Sequence, residues 1–206
     1  MHVLHLSDLF LASRDRAIFL ATHLADDLRS ELHLSHLDAL ILSGNLVQSA
    51  TPEAYAAVEG FLHYLRREFS LPKEHIVLVP GNSDLDLRLS EEEAYQPVLR
   101  RKYRGSLEES AVIDEGGSYL AVLQPEVYKH RFQHFSEFYQ TVKDAPYSLE
   151  YHQQFTLDHF PNHDVLMLGL NSAWQLDHHY TDRAHIHPSA LTNALLAISR
   201  NSTFTA

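Results

Sequence analysis

Three short apolar runs near the start of the chain are each followed by polar residues that could bind a metal ion. The runs cover residues 3–6, 37–42 and 76–79, and their composition predicts buried strands. Because the chain contains no cysteine, any metal must be held by His, Asp or Asn side chains. The residues that follow the three runs are Ser7-Asp8-Leu9-Phe10, Ser43-Gly44-Asn45 and Pro80-Gly81-Asn82-Ser83-Asp84.

A parallel sheet would bring these polar residues together. Apolar residues recur at helical spacing between the first two runs and predict an amphipathic helix over residues 18–28. Thr51 as N-cap and Pro52 at the first helical position begin a second helix before the third run. The order βαβαβ predicts a parallel sheet with covering helices, which binds its ligands beyond the carboxyl ends of the strands.

Residues 88–145 differ in character and predict a helical insertion or cap on this sheet. Their features are a charged helical stretch over 91–103, a turn at Gly116 and Gly117, and an aromatic helix over 132–139. Beyond the insertion we predict a strand or hairpin over 147–160, an apolar strand over 165–170 and a final helix over 188–199. We interpret residues 1–206 as a single domain.

Composition restricts the classes of function. A chain of 206 residues with 45% hydrophobic residues can bury one sizeable core. Its formal charge of −11 repels phosphate backbones, so we expect no non-specific nucleic-acid binding. The sequence shows no signal peptide and no run near the ~18 apolar residues of a membrane span. With no cysteine to suggest disulfides, we expect a cytoplasmic protein without membrane partners.

The sequences LHLSDLF, LILSGNLV and VPGNSDLD resemble the first three blocks of calcineurin-like metallophosphoesterases, which read D-x-H, G-D and G-N-H-[DE]. Their order, spacing and strand context agree. The segment GLNSAWQLDHHYTDRAHIHPSAL is similar to one in a bacterial branch of the family, so the resemblance covers most of the chain. It implies an α/β calcineurin-like phosphoesterase fold with a mostly parallel central sheet, flanking helices, a helical insertion and an incomplete second sheet.

Carried over position by position, the resemblance implies that most of the metal ligands have been replaced. Asp8 matches the Asp ligand of the first block, whereas Phe10 stands where the family has a His ligand. Asn45 stands where the family has a carboxylate that bridges two metals. The family's later single His and its G-H-x-H block are not found before Ala206.

The third block departs in the same way. Asn82 matches the family's Asn ligand, but Ser83 stands where the family has the His that protonates the leaving group. A serine hydroxyl does not titrate near neutral pH and cannot replace that acid. Asp84, which in the family would orient the His, is left with no such partner.

The electrostatics of these replacements argue against a metal pair. Two unit charges about 4 Å apart interact by roughly 4 kcal/mol at an effective dielectric of 20, so two dications repel by about four times as much. A bridging carboxylate offsets that repulsion, and the neutral amide of Asn45 does not. We therefore expect no cofactor, or at most one divalent ion (Mn, Fe or Zn) at Asp8 and Asn82.

Several of these residues also have a purely structural interpretation. Asp8 and Asn82 are equally suited to turns in which their side chains accept backbone hydrogen bonds. The chain has 16 histidines, and a loop rich in His and Asp follows the late strand. Asn171, Trp174, His178 and His179 are our candidates for ligand binding there, although a solvated loop would have the same composition.

Three functions remain open from the sequence. The first is a catalytically impaired phosphoesterase-like domain, or pseudoenzyme, that serves as a binding, regulatory or assembly module. The second is an active metal-dependent phosphodiester or phosphomonoester hydrolase with a reduced or improvised metal site. The third follows from the incomplete second sheet, because apolar sheet surface left uncovered predicts self-association or a fused or partner domain.

Overall fold

A three-stranded parallel sheet forms the centre of the protein. In a computed structural model, which describes residues 1–108, 111–114, 116–201 and 204, its strands are β1 (Val3–Leu6), β2 (Ala39–Ser43) and β3 (Ile76–Val79). They are hydrogen-bonded in the order β1-β2-β3, and all pairs are parallel. The predicted βαβαβ arrangement is therefore confirmed for this part of the chain.

Two helices, α1 (Arg14–Ser30) and α2 (Pro52–Glu68), connect these strands. The hydroxyl of Thr51 accepts a hydrogen bond from the backbone N–H of Ala54 at 3.2 Å, so α2 begins where the sequence predicts. The predicted apolar face of α1 is wrong in part, because Ile18 and Phe19 are exposed. Small side chains allow α1 to approach α2 closely, and its buried residues are Ala17, Ala21, Ala25 and Leu28.

The insertion contains a sheet as well as helices. After α3 (Leu87–Glu92), strands β4 (Tyr95–Leu99), β5 (Val112–Ile113) and β6 (Tyr119–Leu123) form an antiparallel sheet in the order β4-β6-β5. The predicted charged helix over 91–103 is therefore wrong, and the predicted helical insertion is helical only in part. Pairing between β4 and β6, which lie about twenty residues apart in the chain, overrides the local charge pattern.

The second half of the insertion is helical, as predicted. It comprises α4 (Pro125–Tyr128), a 3₁₀ turn and α5 (Gln133–Lys143). Phe135 and Phe138 of α5 are buried in the same core as α1 and α2. Helices α1, α2 and α5 thus share one core with the Leu40 face of the parallel sheet.

The opposite face of the sheet is covered by an antiparallel hairpin. Its strands are β7 (Phe155–Phe160), which begins later than predicted, and β8 (Val165–Leu170), which confirms the predicted late strand. Side chains of the hairpin pack against the sheet residues Ala39 and Val77. Only part of this face is covered, since Val3 of β1 remains 42% exposed.

Helix α6 (Pro188–Arg200) contacts both strands of the hairpin and confirms the predicted final helix. The layer order is therefore helices, parallel sheet, hairpin, helix. Among the residues described, no helix combines the length and the apolar character that a membrane span requires. The overall architecture is a mixed α/β fold with a parallel sheet and flanking helices.

Candidate functional site

Loops at the carboxyl ends of β1 and β2 are joined by backbone hydrogen bonds. The N–H of Asp8 donates to the carbonyl of Gly44 at 3.1 Å, and the N–H of Phe10 donates to that of Asn45 at 3.0 Å. Asp8, Phe10 and Asn45 have φ values of 57°, 46° and 55°, in the left-handed region. That conformation is unfavourable for a bulky residue such as Phe, and such strain clusters at functional sites.

Gly44 allows the third loop to join the first two. Its φ is 99°, and a Cβ at this position would lie 2.9 Å from the Cα of Gly81. No other residue type fits that approach without a shift of the backbone. The glycine thereby fixes the β2 and β3 loops side by side.

The side chains of Asp8, Asn45 and Ser83 form one chain of hydrogen bonds. Asn45 donates through Nδ2 to Asp8 Oδ1 at 2.8 Å, and its Oδ1 accepts from the backbone N–H and the hydroxyl of Ser83 at 3.0 and 3.1 Å. Ser7 Oγ donates to the other oxygen of Asp8 at 2.6 Å. These bonds from Ser7 and Asn45 hold the pKa of Asp8 below its ordinary value. The structure therefore brings together three of the residues predicted from the sequence.

Asp84 accepts hydrogen bonds from partners that the sequence did not reveal. Its carboxylate is fully buried and accepts hydrogen bonds from the backbone N–H groups of Gly81 at 2.8 Å and Leu46 at 3.0 Å. The hydroxyl of Tyr55 on α2 donates to its backbone carbonyl at 3.3 Å. Burial raises the pKa of Asp84 to about 6, despite these donors. Asp84 fastens the second and third loops to each other and to α2.

Phe10 and Asn82 lie at the surface. The side chain of Phe10 is 43% exposed, so it does not fill the interior of the site. It fails to replace a histidine ligand because it has no lone pair to donate. Asn82 is exposed too, and it borders two cavities.

The larger of these cavities is a cleft of about 630 Å³ between the parallel sheet and the hairpin. Its lining is mixed, and the apolar part includes Val77, Val79 and Met167. Asn45 and Asn82 add polar groups where the cleft reaches the strand ends. This combination of an apolar wall with a few convergent polar groups is typical of small-molecule sites.

The other cavity, of about 510 Å³, lies beside the first turn of α2. Asn82, Ser83, Arg88 and His134 contribute to its lining together with Thr51. The Nε2 of His134 lies 3.8 Å from a carboxylate oxygen of Asp86. Asn82 thus borders both cavities, whereas Ser83 lines only the one beside α2.

The candidate residues of the late loop do not gather at the strand ends. Asn171 is buried, and its amide donates to Gln154 at 2.7 Å and accepts from the N–H of Ala173 at 2.7 Å. The ring centroid of Trp174 lies 5.1 Å from that of Tyr151. Ser172 and Ala173, which lie between Asn171 and Trp174 in the chain, line the cleft instead.

His178 and His179 pack against the insertion. Their ring centroids lie 5.7 and 4.9 Å from that of Tyr95 on β4. The neighbouring Asp177 accepts hydrogen bonds from the hydroxyls of Tyr95 and Tyr128, both at 2.7 Å. The His-rich loop is therefore docked on the insertion through Asp177.

A group of potential metal ligands that the sequence reasoning missed lies at the opposite end of the sheet. Within the described part of the chain, His2, His36 and Asp38 are the one set of three or more His, Asp or Glu side chains whose ligand atoms all lie within 4.8 Å of one another. His2 and Asp38 directly precede β1 and β2. The rule that neighbouring parallel strands end at one edge could have found them, had it been applied to the amino ends.

Comparison with family models and with curated proteins found no relative of this chain. No family model matches the chain, and no curated protein matches it either. These comparisons therefore assign the chain to no family.

Proposed function

We propose that this protein is a degenerate calcineurin-like metallophosphoesterase that has lost two-metal chemistry and acts as a binding or assembly module. Two features support the family assignment. The residues that resemble its first three blocks follow β1, β2 and β3 at one edge of the sheet. The layers also place a second sheet, here the hairpin, against the parallel one.

The hydrogen-bond chain through Asp8, Asn45 and Ser83 carries the functional part of the proposal. In a metal centre, the lone pairs of such side chains point at cations. Here both oxygens of Asp8 accept protein hydrogen bonds, and the Oδ1 of Asn45 accepts two from Ser83. Hydroxyl and amide donors thus take the place that positive metal charge would occupy.

Charge counting supports the same conclusion. Dications about 4 Å apart repel by roughly 16 kcal/mol at an effective dielectric of 20. Asp8 is the exposed anion of this cluster, while Asp84 is buried and committed to backbone donors. Asn45 contributes a dipole and no net charge. A single carboxylate does not offset the repulsion between two ions.

The cleft next to this cluster is the site at which we propose binding. Its apolar residues suit a small ligand with an apolar part, and Asn45 and Asn82 offer neutral hydrogen-bonding groups to a polar end. The negative charge of the chain and of Asp8 disfavours multiply charged anions in this position. Binding without hydrolysis follows from the loss of the metal pair and of the histidine acid.

An assembly role remains a prediction of the same proposal. Val3 on the uncovered part of the sheet and Leu191 and Leu195 on α6 are exposed apolar side chains that a second copy or another domain could bury. Light scattering at high protein concentration tests self-association. A mass that stays at the 23.6 kDa of one chain contradicts it.

Metal analysis of the purified protein tests the proposed function. We expect no Mn, Fe or Zn bound in proportion to protein at the Asp8 cluster. Parallel analysis of Asp8→Ala and His36→Ala assigns any metal that is found, because the two residues lie at opposite ends of the sheet. Metal retained by His36→Ala and lost from Asp8→Ala would overturn the proposal.

Turnover of an aryl phosphate ester with added Mn²⁺ distinguishes a pseudoenzyme from an active hydrolase. We expect no turnover above the buffer rate. Asp8→Ala is the matched variant, since it removes the one carboxylate exposed in the cluster. Mn-dependent turnover that disappears in Asp8→Ala would establish the active hydrolase with a reduced metal site.

A further inference from the structure

His2, His36 and Asp38 lie together at the amino ends of β1 and β2, far along the strands from the Asp8 cluster. His2 and Asp38 are fixed to each other by the start of the parallel pairing. The N–H of Asp38 donates to the carbonyl of His2 at 2.9 Å, and the N–H of His2 donates to Asp38 Oδ2 at 2.5 Å. The pairing of β1 with β2 therefore determines the backbone positions of His2 and Asp38.

His36 adds a second imidazole from the segment that leads into β2. Its ring centroid lies 5.0 Å from that of His2, and its Nε2 lies 3.9 Å from Asp38 Oδ1. Ligand atoms around a tetrahedral ion with bonds of about 2.0–2.1 Å are about 3.3 Å apart. Because His36 is 58% exposed, rotation of its side chain can close the remaining gap without disturbing the core.

The turn of the β7–β8 hairpin reaches the same place. Nε2 of His163 lies 3.2 Å from Asp38 Oδ1, so three imidazoles surround one carboxylate. Asp38 is only 19% exposed, which limits its freedom and reduces the entropy that a bound ion would have to overcome. His163 is placed either to enter the coordination sphere or to hold the carboxylate from outside it, as residues behind metal ligands commonly do.

We propose that His2, His36 and Asp38 form a binding site for a divalent transition-metal ion, with Zn²⁺ as its reference occupant. Imidazole ligands favour Zn²⁺, Cu²⁺ and Ni²⁺ over Mg²⁺ and Ca²⁺, which prefer oxygen ligands. One carboxylate and two neutral imidazoles leave a fourth position for water or for His163. The ion would connect the starts of β1 and β2 and, through Asp38, the hairpin turn.

Zinc titration of untagged, chelator-treated protein by isothermal titration calorimetry tests the site. We expect His2→Ala and His36→Ala each to weaken Zn²⁺ binding by more than about tenfold. His63→Ala is the matched control, because His63 is an exposed histidine on α2 outside the group. The affinity of the His63→Ala variant for Zn²⁺ should equal that of the wild type.

A second measurement distinguishes this site from other histidine-rich surfaces. The visible absorption of bound Co²⁺ reports coordination by nitrogen and oxygen ligands, and Zn²⁺ should raise the Tm of the wild type because it binds the folded state. Both signals should be lost in His36→Ala and kept in His63→Ala and Asp8→Ala. Absence of Zn²⁺ binding by the wild type, or equal binding by His2→Ala, His36→Ala and wild type, overturns the proposal. The Asp8→Ala variant distinguishes Zn²⁺ binding at this site from metal binding at the Asp8 cluster.

Discussion

Asn45 and Asp84 follow neighbouring strands but differ in their relation to solvent and charge. Asn45 is half-buried and neutral, and it uses both ends of its amide on Asp8 and Ser83. Asp84 is fully buried and anionic above its pKa, and it accepts backbone N–H groups. The two residues therefore hold the same loops together by different means. Each can be tested by changing a single charge.

Replacing Asn45 by Asp should create a site that needs a cation. The new carboxylate would face Asp8 where an N–H donor now lies 2.8 Å away, so two anions would repel. We expect a lower Tm for Asn45→Asp in EDTA and recovery of the Tm with Mn²⁺. Differential scanning fluorimetry measures both effects.

Asn45→Gly is the control for that experiment. Glycine accepts the φ of 55° and removes the amide without adding charge, so its Tm should not respond to Mn²⁺ beyond the wild-type response. If Asn45→Asp is as stable in EDTA as the wild type, the proposed role of the amide is wrong.

The raised pKa of Asp84 predicts a pH dependence of stability. With a pKa of about 6 when folded and 3.8 as the reference value, the folded state binds the extra proton between these pH values. Stability therefore falls as pH rises from 4 to 6, by about 2 kcal/mol for this group. Urea unfolding of the wild type and of Asp84→Asn at pH 4 and at pH 6 isolates the contribution of Asp84. The stability advantage of the wild type should shrink as pH rises, and an advantage that grows would contradict the assignment.

At the scale of elements, the late loop and the insertion are joined by a buried arginine. Arg131, between α4 and α5, is fully buried. Its guanidinium donates to the carbonyls of Tyr128 and Trp174 at 2.8 Å each, and also to that of Leu176. The same group lies 3.3 Å from the ring centroid of Tyr128. Hydrogen bonds from this one side chain therefore hold the late loop against the insertion.

Arg131→Met should release the loop from the insertion. Three buried or partly buried carbonyls would lose this donor, so we expect a loss of about 3 kcal/mol in the free energy of unfolding. Trp174 is the only tryptophan of the chain, and its fluorescence reports the environment of the loop during urea titration. Arg88→Met, on an 82% exposed side chain, should change stability by less than about 0.5 kcal/mol. Equal midpoints for the two variants would refute the proposed role of Arg131.

At the scale of the whole molecule, a buried ion pair connects the two faces of the parallel sheet. Lys143 at the end of α5 donates to Asp158 of the hairpin at 2.6 Å and to the carbonyl of Ile76 at 2.7 Å. The two side chains are only 13% and 5% exposed. The pair therefore joins the helical layer, β3 and the hairpin at one point.

Lys143→Met should destabilise the fold by about 3–5 kcal/mol, because it leaves the carboxylate of Asp158 buried without a counter-charge. Adding Asp158→Asn should recover part of that loss, which a double-mutant cycle in urea measures. Lys73→Met is the control, since Lys73 and Asp144 form a more exposed pair that should contribute less than about 1 kcal/mol. A loss for Lys143→Met no larger than for Lys73→Met would contradict this role.

The sequence by itself determined the elements whose signals are local. The βαβαβ start, the cap at Thr51 and the final helix from Pro188 follow from apolar runs, helical spacing and end signals within a few residues. The placement of Asp8, Asn45 and Ser83 at one edge also follows, because the carboxyl ends of parallel strands meet. The proposal that these residues do not hold a metal pair was drawn from the sequence alone.

Only the tertiary structure decided the features that depend on distant partners. Strand β4 exists because β6 pairs with it, Asp84 is held by donors from another loop, and Trp174 lies against Tyr151 rather than in the cleft. The rule for parallel strands places His2 and Asp38 at one edge, but only the structure shows that His36 lies beside them. Long-range pairing and burial are set by the energy of the whole fold, so no local pattern in the sequence records them.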